Sequence, residues 1–285
     1  TNIYIDASSV VMSGLVTING VDDDVNIASG WNGHGSIVDE NVGNGKTVTI
    51  TSTYTGNDVG NYSITDQPST TVNITQRPVG LLASKIYDGT TSLGAGTITI
   101  DTGVSSDDLD YSSATASSMD VSGNKYVDSI TLVDGSTGLA SNFTTPDLTT
   151  YDAADNSVTI NPKPITISGL SSIDHIYDAT TTATVNGTAV LQGAISPGSG
   201  SDSDGIPYSG DGIALSATTS GEGVTGTFDS MNVGTRSVSF GNITLTGSGS
   251  KASNYSLTPH DPATKTISSR GVTLTATKTY DGDNT

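Results

Sequence analysis

Tyr87-Asp88-Gly89-Thr90-Thr91 returns as Tyr177-Asp178-Ala179-Thr180-Thr181 and again as Tyr280-Asp281-Gly282. A recurrence of this kind marks a chain built from copies and sets the domain count. Asp-Gly is a turn signal, because Asp bonds the backbone ahead of it and Gly accepts positive φ. The threonine pair restarts an extended segment, where branched side chains pack well. Tyrosine brings a broad apolar ring with one polar tip, suited to the edge of a thin core. The motif reads as a strand-turn-strand corner used once per copy, a structural device and not a catalytic group.

Two further elements recur in a constant order around it. Asn41-Val42-Gly43 is repeated by Asn232-Val233-Gly234, with Asp120-Val121-Ser122-Gly123 as a weak echo. Asn61-Tyr62-Ser63, Asn142-Phe143-Thr144 and Asn254-Tyr255-Ser256 form the other set. They have the form of glycan acceptors. A turn leading an aromatic into the core explains them better. Between these elements Val48 and Ile50 alternate with threonines, as do Val72 with Ile74 and Val158 with Ile160, the period of a half-buried strand. The expected core is Val48, Ile50, Tyr62, Val72 and Ile74, then Ile98, Ile100, Phe143, Val158 and Ile160, then Phe240, Tyr255 and Ile267.

Gln76-Arg77-Pro78, Asn161-Pro162-Lys163-Pro164 and Ser268-Ser269-Arg270-Gly271 separate the copies. The predicted division is 1–76, with Ile3-Tyr4-Ile5-Asp6 as a diverged start, 77–162, 163–268, and 269–285 as the opening of a fourth copy. The third is longest because of a loop from Ser196 to Gly212. Several short strands per copy, and no ten-residue window suited to a helix, predict an all-β chain of antiparallel sandwiches. Prolines at the junctions fix φ and remove amide donors, so the copies are expected end to end in a stiff, extended array.

Hydrophobic residues make up 33% of the 285, which predicts small cores. The net charge is −19, and all the acids but Glu40 and Glu222 are aspartates, which suit turns. This balance excludes nucleic-acid binding, which needs a Lys/Arg surface, and docking on anionic membranes. There is no cysteine, hence no disulfide scaffold or thiolate metal site. No apolar run is long enough to insert in a bilayer. Both ends lie inside polar, repetitive sequence, as in a piece of a longer repetitive protein.

Tyr87-Asp88-Gly89-Thr90-Thr91, Asn232-Val233-Gly234 and Ser253-Asn254-Tyr255-Ser256-Leu257 resemble the YDG-type repeat domain of filamentous-haemagglutinin-like and other large bacterial surface adhesins. The resemblance implies tandem Ig-like domains, export to the bacterial surface or exterior, and service in a stalk that supports adhesion or biofilm formation. It supplies no catalytic residues. The implied partners are neighbouring repeats of the same chain, with a host or matrix glycan or protein engaged by distal regions of a monomeric stalk. Ala179 replaces the motif glycine and Ile5 separates Tyr4 from Asp6, which puts a shared tight turn in question.

Enzymatic chemistry has little to stand on. His34, His175 and His260 fall in separate segments, and His175 stands where Lys85 and Lys278 precede the other motif tyrosines, which suggests an exposed polar position. An isopeptide crosslink at Lys85 or Lys278 does not extend to the copy with His175. Calcium is the one cofactor the composition suggests, with Asp22, Asp23 and Asp24, or Asp202, Asp204 and Asp211, as oxygen ligands. Neither set has the spacing of the twelve-residue calcium loop, and solvated acidic turns explain both. The alternative to a stalk is a carbohydrate- or matrix-binding module, with Trp31 and the tyrosines stacking on sugar, a reading that Trp31 beside Tyr54 on a solvent face would support.

Overall fold

The computed structural model describes residues 2–5, 12–27, 33–65, 69–258 and 263–284. Among them the only helical backbone is in short 3-10 turns; the protein is all-β. No helix of the described residues is long and apolar enough to cross a membrane. The chain forms two compact units. One comprises 1–81, 99–113 and 130–147, the other 82–98, 114–129 and 148–285.

In the first unit an antiparallel sheet has the order Asn2–Ile5, Gly33–Ser36, Gly43–Ile50, Ser69–Ile74. Val48 is buried opposite Thr70, whereas Ile50, Val72 and Ile74 are only half-buried. The alternation names the inward face correctly, but a thin, small-residue core covers it incompletely. A hairpin joins Thr17–Ile18 to Val21–Asp22 through Asn19 (φ +53°) and Gly20 (φ +81°), a turn signal passed over in the sequence.

In the second unit the segment 163–268 builds two larger sheets and a two-stranded one, Ala214–Leu215 with Leu245–Thr246. One of the larger sheets orders Val185–Leu191, Lys163–Ser172 and Tyr255–Thr258; the other orders His175–Ile176, Ala263–Ser268, Gly234–Gly241, Thr225–Phe228 and Thr182–Ala183. Ile167, Leu170, Val185, Ala189, Ala217 and Val224 form one core cluster, and Ala183, Phe228, Val238 and Ile267 another. Phe240 packs against both while staying half-buried itself. Tyr255 and Ile267 are buried, as are Ile98, Val158 and Ile160 of the preceding copy; Ile100 is half-buried.

Some strand pairings are parallel, which corrects the wholly antiparallel expectation. Lys163–Ser172 runs parallel to Tyr255–Thr258, and His175–Ile176 parallel to Ala263–Ser268. In the first unit Arg77–Pro78 likewise runs parallel to Phe143–Thr144. Arg77–Pro78 of the first junction and Lys163-Pro164 of the second are thus strand residues, and Pro78 and Pro164 sit where a missing donor is tolerated. A bulge between Ser168 and Leu170 shifts the register of Lys163–Ser172 against Val185–Leu191. Gly169 (φ +87°) is required there, since a Cβ would lie 2.3 Å from the Thr188 carbonyl oxygen.

Candidate functional site

Each recurring Asn closes a 3-10 turn: Val59–Asn61, Ala140–Asn142 and Lys251–Asn254. The aromatic that follows has extended backbone. In the first unit Asn142 meets the Asn-Val loop of the preceding copy. Asn142 Oδ1 accepts the Val42 N–H at 2.9 Å, and its Nδ2 donates to Asn41 Oδ1 at 2.9 Å. Phe143 is buried beside it, and Gln76 Nε2 donates to the Ser141 and Phe143 carbonyls at 3.1 and 3.0 Å.

The second unit repeats the arrangement one copy further on. Asn254 Oδ1 accepts the Val121 N–H at 2.8 Å, and Nδ2 donates to Asp120 Oδ1 at 2.7 Å. Lys251 Nζ joins Asp120 at 2.7 Å. Bonds from Lys251 and Asn254 hold the Asp120 carboxyl below its usual range. The Asp-Val-Ser-Gly sequence, a weak echo in composition, is therefore a full structural counterpart of Asn-Val-Gly.

Around this second joint the first motif tyrosine is fully employed. Tyr87 is 1% exposed, and its amide donates to the Asn161 carbonyl at 2.8 Å. Its hydroxyl donates to Asp211 Oδ2 at 2.8 Å, and the Tyr255 hydroxyl donates to the same oxygen at 2.6 Å. Tyr255 Oη also accepts the Tyr208 N–H at 2.8 Å. The Tyr87 ring meets Tyr255 and Tyr208 edge-on, with centroids 5.3 and 5.9 Å away. Burial, then the bond to Asp211, pushes both phenols well above their ordinary value.

Lys163 completes the cluster at 0% exposure. Its Nζ donates to the Ser201 carbonyl at 2.6 Å and to Tyr208 Oη at 3.1 Å, pairs with Asp204 at 2.9 Å and lies 4.5 Å from the Tyr208 ring centroid. Burial alone lowers the ammonium, but the Asp204 and Tyr208 bonds outweigh it and the net shift is upward. Tyr208, Asp204, Asp211 and Lys163 were missed as a group. The available signal was one long insertion carrying a tyrosine and acids, beside a lysine held between two prolines.

The motif turn is the same in all three copies. Gly89, Ala179 and Gly282 have φ of +75°, +68° and +79°. Ala179 thus adopts the glycine conformation, which removes the doubt about a shared turn at that copy. Asp88 Oδ1 accepts the Thr90 N–H, and Asp178 Oδ1 the Thr180 N–H, both at 2.9 Å. Lys85–Asp88, His175–Asp178 and Lys278–Asp281 stand 2.7, 3.1 and 3.2 Å apart. The position two before the tyrosine is a basic partner of the motif aspartate, half-buried at Lys85 and His175, and not simply an exposed polar site. Thr180 and then His175 lower Asp178 to about 2. Tyr177 is half-buried, and Tyr280 is exposed.

The acidic candidates for calcium do not converge. Asp22 accepts from Thr17 Oγ1, Asp23 from the Tyr62 hydroxyl at 2.7 Å, and Asp24 from Asn26 Nδ2 and the Asn57 N–H at 2.6 and 3.0 Å. Asp204 is paired with Lys163, Asp211 holds two tyrosines, and Asp202 is exposed. Among the described residues no group of three His, Cys, Asp or Glu is placed to hold a metal. Tyr54 is half-buried; Asp6, Trp31 and His260 lie outside the described residues.

A family model for the YDG domain matches residues 1–72 and 161–264, more than half of the chain. Neither the curated proteins nor the solved structures contain a match.

Proposed function

The chain belongs to the YDG domain family, and from that premise we propose that it is a non-enzymatic run of spacer repeats in the stalk of a secreted or surface-bound bacterial adhesin. Each copy is an Ig-like sandwich, divided at 1–76, 77–162 and 163–268, with 269–285 opening a fourth. The copies form an extended array that holds a distal binding region away from the cell and so supports adhesion or biofilm formation.

One observation carries this reading: at two places the residues that recur join one copy to the next. Asn142 grips the loop at Val42, and Asn254 the loop at Val121. An enzyme or binding module would leave its recurring polar side chains facing a cleft. Small-angle scattering on the purified chain tests the array. A compact globule of 285 residues has a radius of gyration of about 19 Å. The expected value is well above that, and a value near it removes the spacer. Binding of this chain to glycan or matrix arrays above background would replace the spacer by a binding module.

A further inference from the structure

Three loops of the chain share one local build, and two of them are occupied. At each, a side chain two residues upstream accepts the Asx N–H: Asp39 at Asn41, Ser118 at Asp120 and Ser230 at Asn232, at 2.9, 3.1 and 3.2 Å. A basic side chain then wraps the loop carbonyls. Lys46 Nζ bonds the Asn41 oxygen at 2.6 Å, Lys125 Nζ bonds those of Val121 and Gly123 at 2.8 and 2.6 Å, and Arg236 bonds those of Asn232 and Val233 at 2.8 and 3.1 Å. The third loop therefore has the braced form of the other two.

Its docking groups differ from theirs only in lacking an occupant. Val42 and Val121 give their N–H groups to Asn142 and Asn254; the Val233 N–H has no acceptor among the described residues. Val233 is 51% exposed and Met231 44%. The motif tyrosine of the same copy, Tyr177, packs its ring on the Ala183, Phe228, Val238 and Ile267 cluster. Its hydroxyl has no counterpart of the Tyr87–Asp211 bond among the described residues. The opposite half of such a joint exists at the first copy. There Asn61 is exposed, and the Tyr62 hydroxyl donates to Asp23 and accepts the Val16 N–H at 2.9 Å, as Tyr255 does with Asp211 and Tyr208.

We infer that the face formed by Tyr177, Asn232 and Val233 is a docking site for the Asn-aromatic segment of a further YDG copy following on the same chain. The incoming Asn accepts the Val233 N–H and donates to Asn232, and a carboxylate beside its aromatic accepts the Tyr177 hydroxyl. This names the partner for the proposed array and rests on that reading only in requiring a neighbouring copy.

The test is amide hydrogen exchange read by NMR, on the full chain and on a chain extended to complete the copy opened by Tyr280-Asp281-Gly282. Residues 1–282 are followed by a second copy of 180–268 or, in a second version, of 90–161. Val233 exchange is expected to slow about tenfold or more, as for one added net hydrogen bond, and to approach Val42 and Val121. Replacing the grafted counterpart of Asn254 or Asn142 by Ala should restore fast exchange. Unchanged Val233 exchange beside a folded graft overturns the proposal. So does failure of both grafts to fold there, since the face then supports no neighbour. A compact scattering profile would remove the extended array yet leave a slowed Val233 standing.

Discussion

Tyr87-Asp88-Gly89 and Tyr280-Asp281-Gly282 close the same turn in different surroundings. Asp88 accepts the Thr90 N–H and pairs with Lys85; Asp281 accepts the Asp283 N–H at 3.0 Å and pairs with Lys278. The glycines differ by only a few degrees in φ. Yet Tyr87 is 1% exposed and Tyr280 95%. The turn needs a short acid, a residue tolerant of positive φ and a nearby cation, all within a few residues. Burial of the ring needs Tyr255, Tyr208 and Asp211, which the chain delivers only from the next copy. Tyr177 lies between the two: its own copy covers the ring, and its hydroxyl has no Asp211.

The largest expected effect breaks that contrast directly. Tyr87→Ala should cost about 3–5 kcal/mol in a denaturant melt, as for other buried aromatics. Tyr280→Ala should stay within about 0.5 kcal/mol of the parent, as for exposed sites. Equal effects would show that the joint contributes nothing beyond the turn.

The Asn elements offer a smaller version of the same comparison. Asn254→Ala leaves the Val121 N–H without an acceptor and Asp120 with Lys251 but without its amide donor, and should destabilise by about 1–3 kcal/mol. At the exposed Asn61 the same change should be near neutral by thermal melting. A loss at Asn61 as large as at Asn254 would place the role of the Asn in its own turn and not in the joint.

Smaller again, and of opposite sign, is Ala179→Gly. Relief of the φ +68° backbone should stabilise the protein by about 0.5–1 kcal/mol, measured as a shift in denaturation midpoint. Gly89→Ala should destabilise, because its Cβ would also lie 2.8 Å from Pro197.

The last comparison is one of pH. Tyr87 and Tyr255 have folded values above their unfolded value near 10, so their contribution is complete below pH 10 and is lost as pH rises beyond it. Asp178 is lowered from 3.8 to about 2, so its contribution is present above pH 4 and lost as pH falls toward 2. Melts across both windows should show the alkaline loss reduced in Tyr87→Phe and the acid loss reduced in Asp178→Asn. An alkaline loss unchanged by Tyr87→Phe would place its origin elsewhere.

The sequence by itself determined the β class, the recurrence, the turns and the inward face of the strands. Each depends on residues close in the chain: Asp-Gly for the corner, alternation at Val48 and Ile50, prolines at the sheet edges. It also carried the Asn-aromatic element, though read only as a way of seating an aromatic. Only the tertiary structure decided what that Asn holds, because Asn142 and Asn254 find their partners 100 and 133 residues upstream. The same separation hid the equivalence of Asp120-Val121 with Asn41-Val42, since one inserted serine breaks the pattern without changing the loop. Lys163 read as a polar residue in a stiff linker, yet it is buried because an insertion found in one copy brings Asp204 and Tyr208 over it. Local turns can be read along the chain because their hydrogen bonds close within it. A joint between copies cannot, because its donors and acceptors come from segments far apart in the chain.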